Sequence, residues 1–182
     1  RPGISGLEPG VLARWFTERG EPAYRARQVS DAVWSGTTAS LDGVLTLPSA
    51  LRTALAESMR FDTVADSEVQ VTDAGQTEKA LHRLDDARTI ESVLMRYPAR
   101  GSRRERATLC ISSQAGCAVG CPFCATGELG LWRDLLVSEI IDPARYWRRQ
   151  LLAADSGCGA GRPQRAGDLL GHRHATGRQC TE

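Results

Sequence analysis

Four of the chain's six cysteines lie between residues 110 and 124, in the stretch LCISSQAGCAVGCPFCATGELG (residues 109–130). Three of them, Cys117, Cys121 and Cys124, have the spacing CxxxCxxC. Thiolates this close together in a short loop can wrap one inorganic centre. Three ligands suit a 4Fe–4S cluster that leaves one iron without a protein ligand, free to bind a small molecule and pass it an electron. Ferredoxin clusters instead take four cysteines and keep the cluster for electron transfer. Two other chemistries stay open on spacing alone. Structural zinc wants four ligands, usually in two separated pairs, and Cys110 would have to be the fourth. Cys121 and Cys124 also form a CxxC pair suited to thiol redox.

Such a loop must be held from both sides. Before it, SEVQV, KALHRL, TIESVLM and ATLCIS are short β-like runs separated by turn-forming stretches such as TDAGQ and LDDAR. YPARGSRRER (residues 97–106) is a basic loop in which Arg100, Arg103, Arg104 and Arg106 face one acid, Glu105. It reads either as a solvated loop or as a phosphate contact. After the cysteines, LLVSEIIDPARYWRRQLLAA has helical periodicity. Pro143 removes an amide donor and clashes with the preceding turn, so Asp142 is expected to cap a helix that restarts at Pro143.

Residues 7–60 read as helical. Val11, Leu12, Trp15 and Phe16 recur at helical spacing before Gly20. Tyr24, Val29, Val33 and Trp34 lie largely on one side before Gly36, and Pro48 opens a third helix. These faces are core; Arg25 and Arg27 are surface residues or RNA contacts. Residues 155–182 contain no Val, Ile, Phe, Tyr, Trp or Met, so they cannot bury enough apolar surface to order themselves and are expected to be disordered.

The 182 residues carry a formal net charge of +1, with Lys79 the only lysine. Arginine's planar fork suits phosphate, although a coding bias toward Arg, Ala and Gly gives the same composition. No apolar run reaches the ~20 residues that span a bilayer, and RPGISGLEPG carries neither an initiating Met nor an apolar leader core. A fragment or processed product in a reducing cytoplasm, with no membrane partner, is the expectation.

Longer strings are more specific. IESVLM and TLCISSQAGCAVGCPFCATGELG, with GEPAYRARQVSDAVWSG, LPSALRTALAE and GQTEKALHRLDDARTIESVLM, closely resemble the radical S-adenosylmethionine (SAM) methyltransferases of the RlmN type. Those enzymes methylate adenosine at carbon-2 in 23S ribosomal RNA and in some tRNAs. Phe123, just before the last cysteine, matches the aromatic position of the radical SAM pattern CxxxCxΦC. The resemblance covers about residues 5–140.

It implies that Cys117, Cys121 and Cys124 ligate a 4Fe–4S cluster whose open iron binds SAM, with Phe123 beside the cofactor. It further implies a methyl-cysteine intermediate on a C-terminal cysteine. Cys110, seven residues before the first ligand, would be the catalytic thiol that helps release product. The implied partners are 23S rRNA, possible tRNA substrates and an electron donor such as a flavodoxin.

The implied fold is α/β. A helical RNA-binding accessory domain (1–62) leads through a β-rich connection (63–104) to the first strand, cluster loop and first helix of a partial (β/α) barrel (105–153), with a disordered tail (154–182). Only 58 residues follow Cys124, against ~30 for each βαβ unit. No GEP segment follows the cluster motif, and neither Cys158 nor Cys180 has the context of a methyl-accepting cysteine. His172 and His174 beside them are weak metal-ligand candidates. A shifted reading frame near residue 140 and an inactive, truncated barrel are therefore expected. The alternative is a non-enzymatic RNA-binding module whose cysteine loop is stapled by zinc or iron.

Overall fold

A computed structural model describes residues 1–155 apart from residues 9, 65 and 66. The expectations for the tail, including Cys158, His172, His174 and Cys180, lie outside the described residues.

Three helices open the chain: α1 (Val11–Thr17), α2 (Tyr24–Ser35) and α3 (Ser49–Ser58). Leu12, Trp15 and Phe16 of α1, Val29 and Val33 of α2 and Leu55 of α3 close one apolar cluster. Tyr24 and Trp34 do not join it and are exposed. Val29 and Val33 are four apart and stack on one stripe, whereas Trp34 is turned about a quarter-circle off it. Gly36 ends α2 with φ 77°, a left-handed cap that favours glycine. Arg25 uses its guanidinium inside the fold, donating to the Thr46 carbonyl at 3.0 Å and to Gln28 Oε1 at 3.2 Å. Arg27 is exposed, within 3.9 Å of Asp31.

The β-like runs form an antiparallel sheet in chain order: β1 (Ser67–Thr72), β2 (Thr77–Arg83), β3 (Thr89–Tyr97) and β4 (Arg106–Ile111). A two-stranded hairpin of β5 (Gln114–Gly116) and β6 (Leu131–Asp134) follows, with the short helix α4 (Ala125–Glu128) inside its loop. The long helix α5 (Val137–Asp155) then covers one face of the sheet. Residues paired across strands share a face. The registers Leu94↔Leu109 and Ser92↔Ile111 define the face under α5, where Trp147 is 1% exposed. The registers Val93↔Cys110, Met95↔Thr108 and Tyr97↔Arg106 define the opposite face.

The expectation for Pro143 needs correction. Helix α5 runs unbroken from Val137 through Pro143, and Asp142 caps nothing. Its carboxylate is fully buried and accepts hydrogen bonds from Ser5 Oγ, Thr63 N and Thr63 Oγ1 at 2.7 Å each, and from Arg145 Nη1 at 2.6 Å. Arg145 also donates to the Val33 carbonyl at 3.2 Å, and Arg148 to that of Ser35 at 3.1 Å. These are carbonyls that the last turn of α2 leaves without helical partners. Tertiary contacts on three sides hold α5 together across the one missing amide bond.

The sheet also holds a buried polar chain. Trp147 Nε1 donates to Ser92 Oγ at 2.7 Å, Ser92 Oγ lies 2.7 Å from His82 Nε2, and Ser67 Oγ lies 2.6 Å from His82 Nδ1. Burial lowers the His82 pKa from 6.5 to about 4, so the folded chain keeps the imidazole neutral. Between these values the unfolded state binds a proton that the folded state refuses. The resulting stability is complete above pH 6.5 and is lost as pH falls toward 4, a change on the order of 3 kcal/mol. Urea midpoints at pH 7 and pH 4.5 are expected to show this loss, and His82→Gln is expected to flatten it. An unchanged slope in the variant contradicts the assignment.

Candidate active site

The loop between β5 and β6 carries Cys117, Cys121, Phe123 and Cys124. Its neck is closed by backbone: Cys117 N donates to the Gly130 carbonyl at 3.0 Å. Gly116 there has φ 82°, and a Cβ on it would stand 2.0 Å from the Gly130 oxygen, so no larger residue fits. Inside the loop, Cys124 N donates to the Cys121 carbonyl at 3.1 Å, and Gly120 turns the chain with φ 64°. Gly127 packs on the Cys121 backbone, where a Cβ would meet its nitrogen at 2.9 Å. The small residues of GCAVGCPFCATGELG thus let the chain fold back on itself.

The hairpin is clamped to the rest of the chain by Arg133. Its guanidinium donates to both Glu139 oxygens at 2.6 and 2.9 Å and to Asp86 Oδ2 at 2.9 Å. Glu139 also accepts the Leu136 amide at 2.8 Å, the reach from the third residue of a helix back to its cap. The Arg133 hydrogen bond holds the Asp86 carboxyl below its usual value. Burial pushes Glu139 up, but the bonds from Arg133 and Leu136 outweigh it and its pKa is lowered. Both carboxylates therefore stay charged, and Arg133 ties β6, the β2–β3 turn and the start of α5 together. Sequence reasoning missed this clamp; its one local signal is a glutamate three residues after Leu136.

All four cysteines of the stretch are free thiols. Cys117, Cys121 and Cys124 are half-buried, Cys110 is exposed on β4, and Phe123 is 89% exposed. Among the described residues, no three His, Cys, Asp or Glu side chains converge as ligands of a single ion. A cubane spreads its thiolates over different irons, so its ligands need only surround a larger body. By chemistry, the three thiols, free among the described residues and carried by one folded-back loop, are the donor type that such a cluster takes. Around it Val119, Leu129, Trp132, Leu136 and Val137 are exposed. Among the described residues no helix is long and apolar enough to cross a membrane.

No protein-family model matches the chain. Over 144 residues it is 45% identical to the probable dual-specificity RNA methyltransferase RlmN of Chloroflexus aurantiacus, which covers 79% of this chain and 35% of that protein. The same-named protein of Roseiflexus castenholzii is 41% identical over 164 residues, covering 90% of this chain and 38% of the relative. That of Mycolicibacterium smegmatis is 41% identical over 160 residues, covering 87% and 41%. A crystal structure of a radical SAM methyltransferase from Sphaerobacter thermophilus superimposes with a TM-score of 0.73 at 35% identity, covering 86% of this chain and 44% of that one. The chain thus spans roughly two fifths of the relatives it matches. Its described fold is mixed α/β and partly overlays a radical SAM methyltransferase. These likenesses relate it to the radical SAM methyltransferases of the RlmN type, a family that implies a 4Fe–4S cluster and SAM.

Proposed function

We propose that this chain, related to the RlmN-type radical SAM methyltransferases, contributes the cluster-bearing part of an enzyme that methylates carbon-2 of adenosine in 23S rRNA and tRNA. The observation that carries the reading is the loop itself: three free thiols at CxxxCxxC spacing in a chain 45% identical to an RNA methyltransferase. Cys117, Cys121 and Cys124 would hold the cluster, which when bound supplies the electron that cleaves SAM.

The chain's own residues have separate tasks. Gly116 and Gly127 let the loop close around its contents, and Arg133 keeps the hairpin in place. Phe123, exposed beside Cys124, is the aromatic neighbour of the cofactor that the family pattern CxxxCxΦC implies. Cys110, exposed on the strand that leads into the loop, serves as the thiol that helps release product, acting as its thiolate. The helical residues 1–62 act as an accessory module toward RNA, and a small redox protein such as a flavodoxin supplies the electron. The exposed apolar side chains around the loop are where further barrel elements pack in the whole protein. The 182 residues alone are expected to take up the cluster without methyl transfer.

Mass spectrometry of digested RNA tests this, after anaerobic incubation with SAM and a one-electron reductant. The whole protein is expected to yield 2-methyladenosine. Cys110→Ala is expected to lower that yield on the order of 10²-fold or more, the scale lost with one essential proton-transfer or thiol group. Unmodified adenosine from a whole protein that holds its cluster overturns the reading.

A further inference from the structure

The β3–β4 connection is a finger with a purpose that its packing does not explain. Residues 97–106 are all exposed. Arg100 and Arg103 pair across the tip, Arg100 N to the Arg103 carbonyl at 3.2 Å and Arg103 N to the Arg100 carbonyl at 3.1 Å. Gly101 makes the two-residue turn with φ 60°. Directly opposed residues present their side chains on the same face, and like charges so placed oppose the pairing. Arg96 of β3 is neutralised by Glu78, yet Arg100, Arg103, Arg104 and Arg106 form no ion pair among the described residues. Together with Gln76 and Tyr97 they line an open groove of about 990 Å³. Arg106 lies over the Tyr97 ring at 4.6 Å. Arginines without counter-ions around an exposed aromatic ring match a polyphosphate strand better than an apolar partner.

The strand register then locates the groove. Tyr97, Arg106 and Cys110 share the sheet face away from α5. Arg106 and Cys110 are four residues apart on one strand, about 13 Å at the usual rise. We propose that the β3–β4 hairpin is a phosphate-binding arm, in which Arg100, Arg103, Arg104 and Arg106 hold the backbone of the RNA strand that is presented to the Cys110 face. The arm rests on the RNA-methyltransferase reading for the identity of its polyanion. Its contacts go to phosphates, so it positions RNA without reading sequence.

The test is fluorescence anisotropy of a 5′-labelled 20-nucleotide RNA with the 182-residue chain, titrated over a range of KCl concentrations. The variant Arg100→Gln/Arg103→Gln/Arg104→Gln is expected to weaken binding tenfold or more near 0.1 M salt. The slope of log K against log salt is expected to flatten by about 2, at ~0.7 for each phosphate contact on a single strand. The three side chains are exposed, so the thermal midpoint is expected to hold. The corresponding triple lysine variant keeps the charge and is expected to keep the slope, which separates charge from folding. Unchanged affinity and slope in the glutamine variant overturn the proposal, as does tighter binding of poly-L-glutamate than of RNA at equal charge. Those outcomes leave the cluster and the methylated product of the whole protein intact. Failure of the underlying reading shows instead as a missing cluster or unmodified adenosine whatever stands at these three positions.

Discussion

Replacing Cys121 by serine is expected to abolish cluster uptake. After anaerobic reconstitution with iron and sulfide, the parent chain should hold about four iron and four sulfide, the content of one cubane. The serine variant should hold almost none. The reason is local. Cys121 stands midway along the loop, its carbonyl accepting the Cys124 amide and its backbone packed against Gly127. A hydroxyl placed there is a poor donor for soft iron and is not ionised near neutral pH, whereas a thiol can be. Cys117→Ser and Cys124→Ser are expected to behave alike, because two thiolates do not retain a cubane. Cys110→Ser is the discriminating control. It sits on the exposed face of β4, outside the loop, and should leave iron content unchanged. One zinc per chain with no iron uptake, or loss of metal with Cys110→Ser, contradicts the division of the four thiols into three ligands and one reactive group.

The largest stability loss is expected at Asp142, far from any chemistry. Its two oxygens accept four hydrogen bonds, one from the Arg145 guanidinium. Arg145 is itself buried, and its Nη2 has no hydrogen-bond partner among the described residues. Asp142→Ala strips the main counter-charge from a buried cation and orphans the Thr63 amide, a change that costs ~3–5 kcal/mol when one partner of a buried pair is removed. Asn is no refuge. Either orientation of its amide sets an NH2 group against a donor that cannot turn away, Thr63 N–H on one side or Arg145 on the other. Both variants are expected to lower the urea midpoint sharply or to prevent folding, while Arg27→Ala, at an exposed pair, should shift it by less than ~1 kcal/mol. A loss at Asp142 no larger than that at Arg27 removes the buried pair from its place as the joint between α5 and the N-terminal helices. Burial also raises the pKa of nearby Asp62, against the lowering by Arg149 and Arg145 beside it.

The local signals were legible because they are short-range. Three helices, four strands and the turns between them follow from periodicity within windows of about ten residues, and Gly36 caps its helix where the pattern stops. The CxxxCxxC spacing of the loop is read directly from the sequence, and the resemblance to the RlmN-type enzymes rests on contiguous strings. Pro143 shows the limit. Its local preference to start a helix was overruled by contacts from Ser5 and Thr63, 137 and 79 residues away from Asp142. The Arg133 clamp escaped for the same cause: Asp86 is 47 residues distant from it.

The sequence by itself determined that Cys117, Cys121 and Cys124 share one loop and that Cys110 and Arg106 project from the same side of one strand, since strand alternation has a period of two. Only the tertiary structure decided that this side is open. Helix α5 packs Trp147 onto Leu94 with Leu109 alongside, taking the other face of the sheet into the core and leaving Cys110 and the arginine arm to solvent. Alternation says which residues go together. Which set is buried depends on the apolar surface that another element brings, and that element is written more than 20 residues further along the chain.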